Sequence, residues 1–476
     1  MNPPEKSAHV VVVGGGISGL AAAHYLATHK MPVTVFEAAD HVGGKLVTID
    51  VAGISLDGGA ESVLARRHEA TDLIAAVGLK DSLVHPSAGG AAVWIDDALR
   101  RLPQRQLLGI PYDLAQLADS KVLDKRGLLR VYAEASLPKR AVESDTSVGQ
   151  LVKQRLGIQV VERLVEPVLA GVYASSADQL SLDMTIPGLR AHLTDGVSIM
   201  EAIEAFRREK SLESGPGADG DRPALASLVG GVGQLPSAIA STPGVSVATG
   251  ANVQSIQRSS EGWTVTVLRG GETADVHADA VVLACQSDVT SRLLAPFATA
   301  ASSSLAGIEY ASVAVASYVF DKGLVPTLPA GTGFLVPPVA GRTVKAVTFS
   351  SQKWQWLQRQ HPEHEVIRVS VGRHGDTAIL QRSDDELAAV ALADMADMTG
   401  VNAQPLDYQV TRWTSALPQY RVGHRELVEM VRNEVSKHEG LALCGAGLDG
   451  VGIAACVASG QAAGTRIREM LTSARR

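Results

Sequence analysis

Residues 9–45 read HVVVVGGGISGLAAAHYLATHKMPVTVFEAADHVGGK, and this stretch decides the fold. His9 to Val13 is an apolar, β-branched run of the kind that forms a buried strand. Gly14-Gly15-Gly16-Ile17-Ser18-Gly19 follows at once, then an Ala-rich helical stretch from Leu20 to Thr28. A second strand, Pro32 to Phe36, ends in Glu37. Strand, GxGxxG, helix, strand and acid in this order make a complete dinucleotide-binding unit. Gly14 permits the tight turn, Gly16 lets backbone approach a pyrophosphate, and Gly19 lets helix and strand pack closely. The helix start offers free N–H groups and partial positive charge to phosphates. Glu37 stands where a carboxylate accepts hydrogen bonds from ribose hydroxyls, with Ala38 beside it.

The residues just downstream separate flavin from nicotinamide. Gly43-Gly44-Lys45 closely follows the ribose acid. Paired glycines turn the chain beside the phosphates, and Lys45 adds charge. This resembles the extended fingerprint of FAD enzymes of the amine-oxidase and glutathione-reductase type. Asp279 to Cys285 is a further buried-strand pattern. Near the C-terminus, Leu441 to Cys444 is a strand, Gly445 to Gly452 is glycine-dense, and a helix is predicted from about Ile453 to Leu471. Glycine-rich strand-to-helix junctions at both ends suit an extended FAD, the first facing the pyrophosphate and the second the flavin ring.

The chain has 476 residues, enough for two or three domains, with ordinary apolar (46%) and charged (20%) fractions. A net charge of −7 removes any global pull toward nucleic acid or anionic lipid, and 4% aromatics leave few base-stacking surfaces. Cys285, Cys444 and Cys456 are widely spaced and form no metal-ligand or CxxC pattern. They suit a reducing, cytoplasmic setting. The thirteen His residues form no HExxH motif, so no metal is expected. No signal peptide and no membrane span is expected, which leaves at most peripheral membrane contact. Apolar Leu107-Leu108-Gly109-Ile110 sits among charged residues, so lipid binding by this region is expected to be weak at most.

The organisation expected is α/β plus α+β: a doubly wound, Rossmann-type FAD-binding domain, a mixed-sheet substrate domain and a helical insertion. The FAD-binding domain takes residues 1–90, 207–285 and 411–476; the substrate domain takes 91–103 and 286–410; the insertion takes 104–206. Within the insertion, Asp145 or Ser147 caps a helix, and Val160 to Val168 repeats at helical spacing. Ser211 to Pro223 reads as a Gly/Pro/Asp linker, Glu261-Gly262 as a hairpin turn, and Asp384 to Met398 as an amphipathic helix.

Several blocks together resemble the HemY-type porphyrinogen oxidases of the flavin amine-oxidase superfamily, over nearly the full length. They are GGGISGLAAAHYL, LDGGAES (56–62), DTSVGQLVKQRLG (145–157), EPVLAGVYASSADQLSL (166–182), SLVGGVGQLP (227–236), GTGFLVPP (331–338), TFSSQKW (348–354), RWTSALPQYRVGH (412–424) and GLDGVGIAACVASG (447–460). The resemblance implies FAD contacts at Gly14, Gly15, Gly16, Ile17, Ser18, Gly19, Glu37, Ala38, Gly44 and Lys45. It adds the turn Gly59, Ala60, Glu61, Ser62, then Val253 against the adenine, Trp413 near the isoalloxazine, and Gly447, Val451, Gly452 and Ile453 against the flavin ring. Departures occur at Ser175-Ser176, where the family often has Gly-Asp, and at Ala454-Ala455, which replace Pro-Asp. Ala91 stands where eukaryotic members carry a propionate-binding Arg, which the Gram-positive members that take coproporphyrinogen III also lack.

The implied reaction is oxygen-dependent oxidation of coproporphyrinogen III to coproporphyrin III in heme synthesis, with protoporphyrinogen IX as the alternative substrate. Hydride leaves a meso carbon for flavin N5, so no catalytic side chain is required. Arg66 and Arg67 are the candidate propionate contacts, and Glu61 is the candidate for the substrate N–H groups. Hand-over of product to the next heme-pathway enzyme is a further implied partnership; the oligomeric state is open. Two other readings of this fold are an amine oxidase, disfavoured by few aromatics and no attachment Cys before Gly450, and a non-catalytic binding protein like the GDP-dissociation inhibitors, which lack the flavin contacts.

Overall fold

A computed structural model describes residues 8–87, 89–214 and 224–473. Its first sheet is built on the opening strand. Val10–Val13 pairs in parallel with Val33–Phe36 on one side and Ala280–Leu283 on the other. Val245–Ala248 and Leu441–Leu443 extend it outward, both parallel, to give five strands. All four residues of Val10–Val13 are buried, as a parallel strand covered on both faces requires. Val10, Val12, Ala442 and Val282 pack against Ala22, Ala23 and Leu26 of the helix Ile17–Thr28 and Ala463 and Ile467 of the helix Ile453–Ser473. Val11, Val13 and Leu283 face the other way, toward a three-stranded antiparallel sheet and the helix His424–Val435. Segments hundreds of residues apart thus complete one layer. The two long helices approach closely because Gly460 leaves room for the Ser18 carbonyl.

The second large sheet has seven strands, in the order Asp407–Pro418, Tyr310–Asp321, His364–Val371, Val344–Phe349, Gly333–Leu335, Ala92–Ile95, Ala98–Arg101. Only the Gly333–Leu335 pairing with Ala92–Ile95 is parallel. One face, with Ala314, Ala316, Ile367, Val369 and Val347, packs on Leu387, Ala391 and Met395 of the helix Asp384–Thr399. The opposite face, with Val313, Val315, Arg368 and Ser370, turns toward the first sheet and roofs the cavity described below.

Between residues 114 and 214 the chain is mainly helical, packed on a core around Val148, Leu151, Leu164, Leu169 and Ile199 that also takes in Val93, Ile95 and Tyr420. Ser147 caps the helix Val148–Leu156, its hydroxyl accepting from Gln150 N at 3.2 Å. Asp145 instead receives Ser181 Oγ at 2.6 Å and Asp183 N. The helical repeat across Val160 to Val168 is interrupted: Val161–Val165 is a π-helix before Glu166–Tyr173 resumes as α. Pro167 has no N–H to donate, and the wider turn before it absorbs that loss. Leu107 to Ile110 forms a tight hairpin, with φ of 49° at Leu108 and 86° at Gly109. The apolar stretch is therefore a turn tucked against the insertion's core, not a helix.

One sequence boundary shifts. Ser211–Ser214 belong to the helix Ile199–Ser214, and the rest of the expected linker lies outside the described residues. The hairpin at Glu261-Gly262 joins Ala251–Ser259 to Gly262–Arg269 as read from sequence. No helix among the described residues is long and apolar enough to cross a membrane.

Candidate functional site

The glycine loop is shaped by its neighbours. Gly14 adopts φ +105°, and a Cβ there would stand 2.8 Å from Ala284 O. A Cβ on Gly19 would overlap the Gly14 carbonyl. Gly16 differs: its φ is an ordinary −69°, and nothing lies within 4 Å of the place a Cβ would occupy. It also starts the helix Ile17–Thr28 with no side chain capping it, so the first N–H groups face open space. Glu37 accepts from Gly15 N at 2.7 Å and from Ala39 N at 2.8 Å, which fixes both carboxylate oxygens beside the loop. Gly250 N and Ala251 N donate to Ala39 O and Glu37 O, bringing the strand that carries Val253 alongside. An uncapped helix start, an empty glycine face and a fixed acid form a cradle that could hold the pyrophosphate and ribose of a dinucleotide.

Beyond Gly16 opens a cavity of about 460 Å³ between the two large sheets. Its floor holds Gly16, Ile17, Ser18, Gly44, Lys45 and Gly59 to Ser62, and its far wall holds Gly447, Val451, Gly452 and Ile453. Trp413 lines it too and donates from Nε1 to Gly58 O at 3.1 Å, clamping the Gly58-Gly59 turn. Lys45 donates to Ala416 O at 3.0 Å, and burial pushes its pKa down. Gly14, Gly15, Gly19, Glu37, Ala38 and Val253 do not line this cavity; they form the cradle region at the edge of the first sheet.

Glu61 sits between two cations. One carboxylate oxygen pairs with Lys353, and the other receives Arg368 Nη1 at 2.5 Å. Arg368 Nη2 also donates to Gly59 O at 2.7 Å. Burial pushes the Glu61 pKa up, but the two cations outweigh it and bring it down to about 2. Glu61 lines the cavity as the sequence expects, and each of its oxygens also ties the turn to the second sheet. Asp57, in the same motif, accepts from Val232 N and Gly233 N and locks the 227–236 loop beneath.

Arg66 and Arg67 do not reach the cavity, which corrects the sequence expectation for them. Both are exposed. Arg67 pairs with Glu69 at 2.5 Å and faces a separate groove with Arg432, Asp449 and Arg466. The turn leads them outward because Val63–Leu64 pairs with Leu225–Leu228 and carries the chain away.

The sequence reading missed the upper half of the site. Gly171, Val172, Val313, Val315 and Leu417 give it apolar walls, and Cys285, Gln286, Tyr310, Lys345, Ser370 and Cys456 also face it. A usable signal existed for three cations. Lys345 in VKAVTF and Arg368 in VIRVSV are single charges inside β-branched runs, and Lys353 is the one charge of the TFSSQKW block. A charge in a buried strand needs a partner or a purpose.

The fold and the cavity define a dinucleotide-dependent oxidoreductase with its site between a nucleotide-binding sheet and a second, mixed sheet. The flavin containing amine oxidoreductase family matches residues 17–468. A coproporphyrinogen III oxidase from Mycobacterium tuberculosis is 35% identical over 97% of each chain. One from Bacillus subtilis is 30% identical, over 96% of this chain and 97% of the other. The crystal structure of an Exiguobacterium protein assigned as a protoporphyrinogen oxidase superposes with a TM-score of 0.83 at 30% identity, covering 98% of this chain and 99% of that one. The chain belongs to the flavin-containing amine oxidoreductase family and, within it, to the porphyrinogen oxidases. Its cofactor is FAD.

Proposed function

We propose that this protein catalyses the oxygen-dependent, six-electron oxidation of coproporphyrinogen III to coproporphyrin III. The observation that carries the reading is the full-length likeness to two coproporphyrinogen III oxidases, at 35% and 30% identity. The cavity agrees with it. Its walls are apolar, and its one lining carboxylate with a strongly lowered pKa, Glu61, is consumed by structural ion pairs.

When bound, FAD supplies a two-electron hydride acceptor that oxygen reoxidises. We assign its binding to Gly14–Gly19, Glu37, Ala38, Gly44, Lys45, the Gly59–Ser62 turn, Val253, Trp413, Gly447 and Val451–Ile453. A porphyrinogen meso carbon loses hydride readily, because the resulting cation spreads into the flanking pyrroles. The protein's task is therefore orientation and exclusion of water, not general-base catalysis. Val172, Val313 and Val315 supply the dry wall, and the Gly59–Ser62 turn, held by Arg368 and Lys353, sets the floor. Three rounds remove six hydrogens, each consuming one O₂ and releasing one H₂O₂.

Product fluorescence tests the reading directly. Purified FAD-loaded protein should oxidise coproporphyrinogen III with a higher kcat/KM than protoporphyrinogen IX. The reverse order overturns the substrate assignment. No turnover of either overturns the reaction.

A further inference from the structure

Lys345 is the one cavity-lining cation whose ammonium has no hydrogen-bond or ion-pair partner among the described residues. It lies in a β-bulge: Val344 pairs with Val371 and Ala346 with Ser370, so Lys345 is the extra residue. Bulges redirect side chains, and this one sends Lys345 to the cavity roof beside Ser370. The residue is 4% exposed. The one charged group acting on it is Arg373. Arg373 holds the adjacent backbone, donating to Val344 O and Val336 O, and feels Asp376, Glu166 and Asp394 without a close ion pair among the described residues. Burial first, then Arg373, pushes the Lys345 pKa down to about 7.

A buried ammonium with no acceptor costs stability unless a ligand completes it. The missing partner is an anion small enough to reach the roof from within the cavity. We propose that Lys345 receives a propionate carboxylate of the substrate. This rests on the porphyrinogen reading above and names the residue that reads the substrate's charge. Arg66 and Arg67 stand elsewhere, so Lys345 takes the role they were expected to fill. The pyrophosphate cradle lies on the opposite sheet, at the start of the helix Ile17–Thr28, and has its own donors.

The test compares Lys345→Met with the unaltered protein, both FAD-loaded, using coproporphyrin III and its tetramethyl ester as probes in one detergent buffer. Binding is read by porphyrin fluorescence, and flavin content and absorbance report an intact fold. A charge-assisted contact predicts roughly tenfold to hundredfold weaker binding of the tetra-acid in Lys345→Met. Ester binding should be unchanged, and Lys345→Arg should recover much of the tetra-acid affinity. Lys345→Gln provides the same comparison if the Met variant folds poorly. Unchanged tetra-acid affinity overturns the proposal. So does equal loss for acid and ester, which would make Lys345 a packing residue. A fall in kcat for coproporphyrinogen III with tetra-acid binding unchanged also overturns it and marks a proton acceptor. If the unaltered protein binds neither probe and oxidises no porphyrinogen, the porphyrinogen reading itself has failed.

Discussion

Arg368 donates to Glu61 at 2.5 Å across 307 residues of sequence, and the same guanidinium holds Gly59 O. This pair joins the glycine turn of the cofactor side to the strand that roofs the cavity. Arg368→Met should lower stability by roughly 3 kcal/mol, the scale for breaking a buried pair. Lys353 still balances Glu61 and keeps the loss from growing larger. Flavin should also be released faster on gel filtration, because the freed turn forms the cavity floor. In denaturant unfolding, Glu61→Gln with Arg368→Met should cost less than the sum of the single changes. Strict additivity would show that the two do not act together.

Gly16 and Gly19 lie three residues apart and should fail differently. Gly16→Val has free space and an allowed φ, so the protein should fold with near-normal stability. The isopropyl group would then occupy the pyrophosphate's place, and purified protein should be colourless near 450 nm. Gly19→Ala would drive a methyl into Gly14 O and should reduce soluble yield. A yellow Gly16→Val protein would move the phosphate site elsewhere.

The flavin should be non-covalent. Cys285 and Cys456 face the cavity, but burial pushes both thiols up, Cys285 to about 11. Neither is a ready nucleophile at neutral pH. Acid precipitation should release all the flavin to the supernatant; flavin left in the pellet would refute this.

Glu365 gives a pH signature. It is buried on the strand His364–Val371, its Oε1 has no partner, and burial pushes its pKa up to about 7. Unfolded, a Glu titrates near ~4.3. The folded state therefore holds the proton more tightly, and stability is lost as pH rises from about 4 to 7. Glu365→Gln should remove that loss, gaining on the order of 3 to 4 kcal/mol above pH 7 and nothing below pH 4. A gain independent of pH would assign the effect to packing instead.

Arg67→Ala should leave KM and kcat unaltered. Its partner is Glu69, its surroundings are solvent and a groove away from the cavity, and exposed pairs contribute about 0–1 kcal/mol. A raised KM would return Arg67 to the substrate site.

The sequence by itself determined the nucleotide half of this protein. GGGISG between two β-branched strands, Glu37 after the second, and the glycine junction at 445–452 are contiguous patterns whose physics is local. Turn geometry, helix-start N–H groups and strand periodicity all act within a few residues, so they can be read in order along the chain. The full-length blocks likewise carried the family. What only the tertiary structure decided is where charged side chains end up. Glu61 looked free to meet a substrate until Lys353 and Arg368 were found on its two oxygens. Arg66 and Arg67 looked close to the flavin turn until the pairing of Val63–Leu64 carried them outward. Lys345 carried no mark beyond an odd charge in an apolar run, and only a one-residue bulge turned it into the cavity. A buried charge is governed by partners brought together by sheet register and chain crossing, and neither is written in the residues that surround it in sequence.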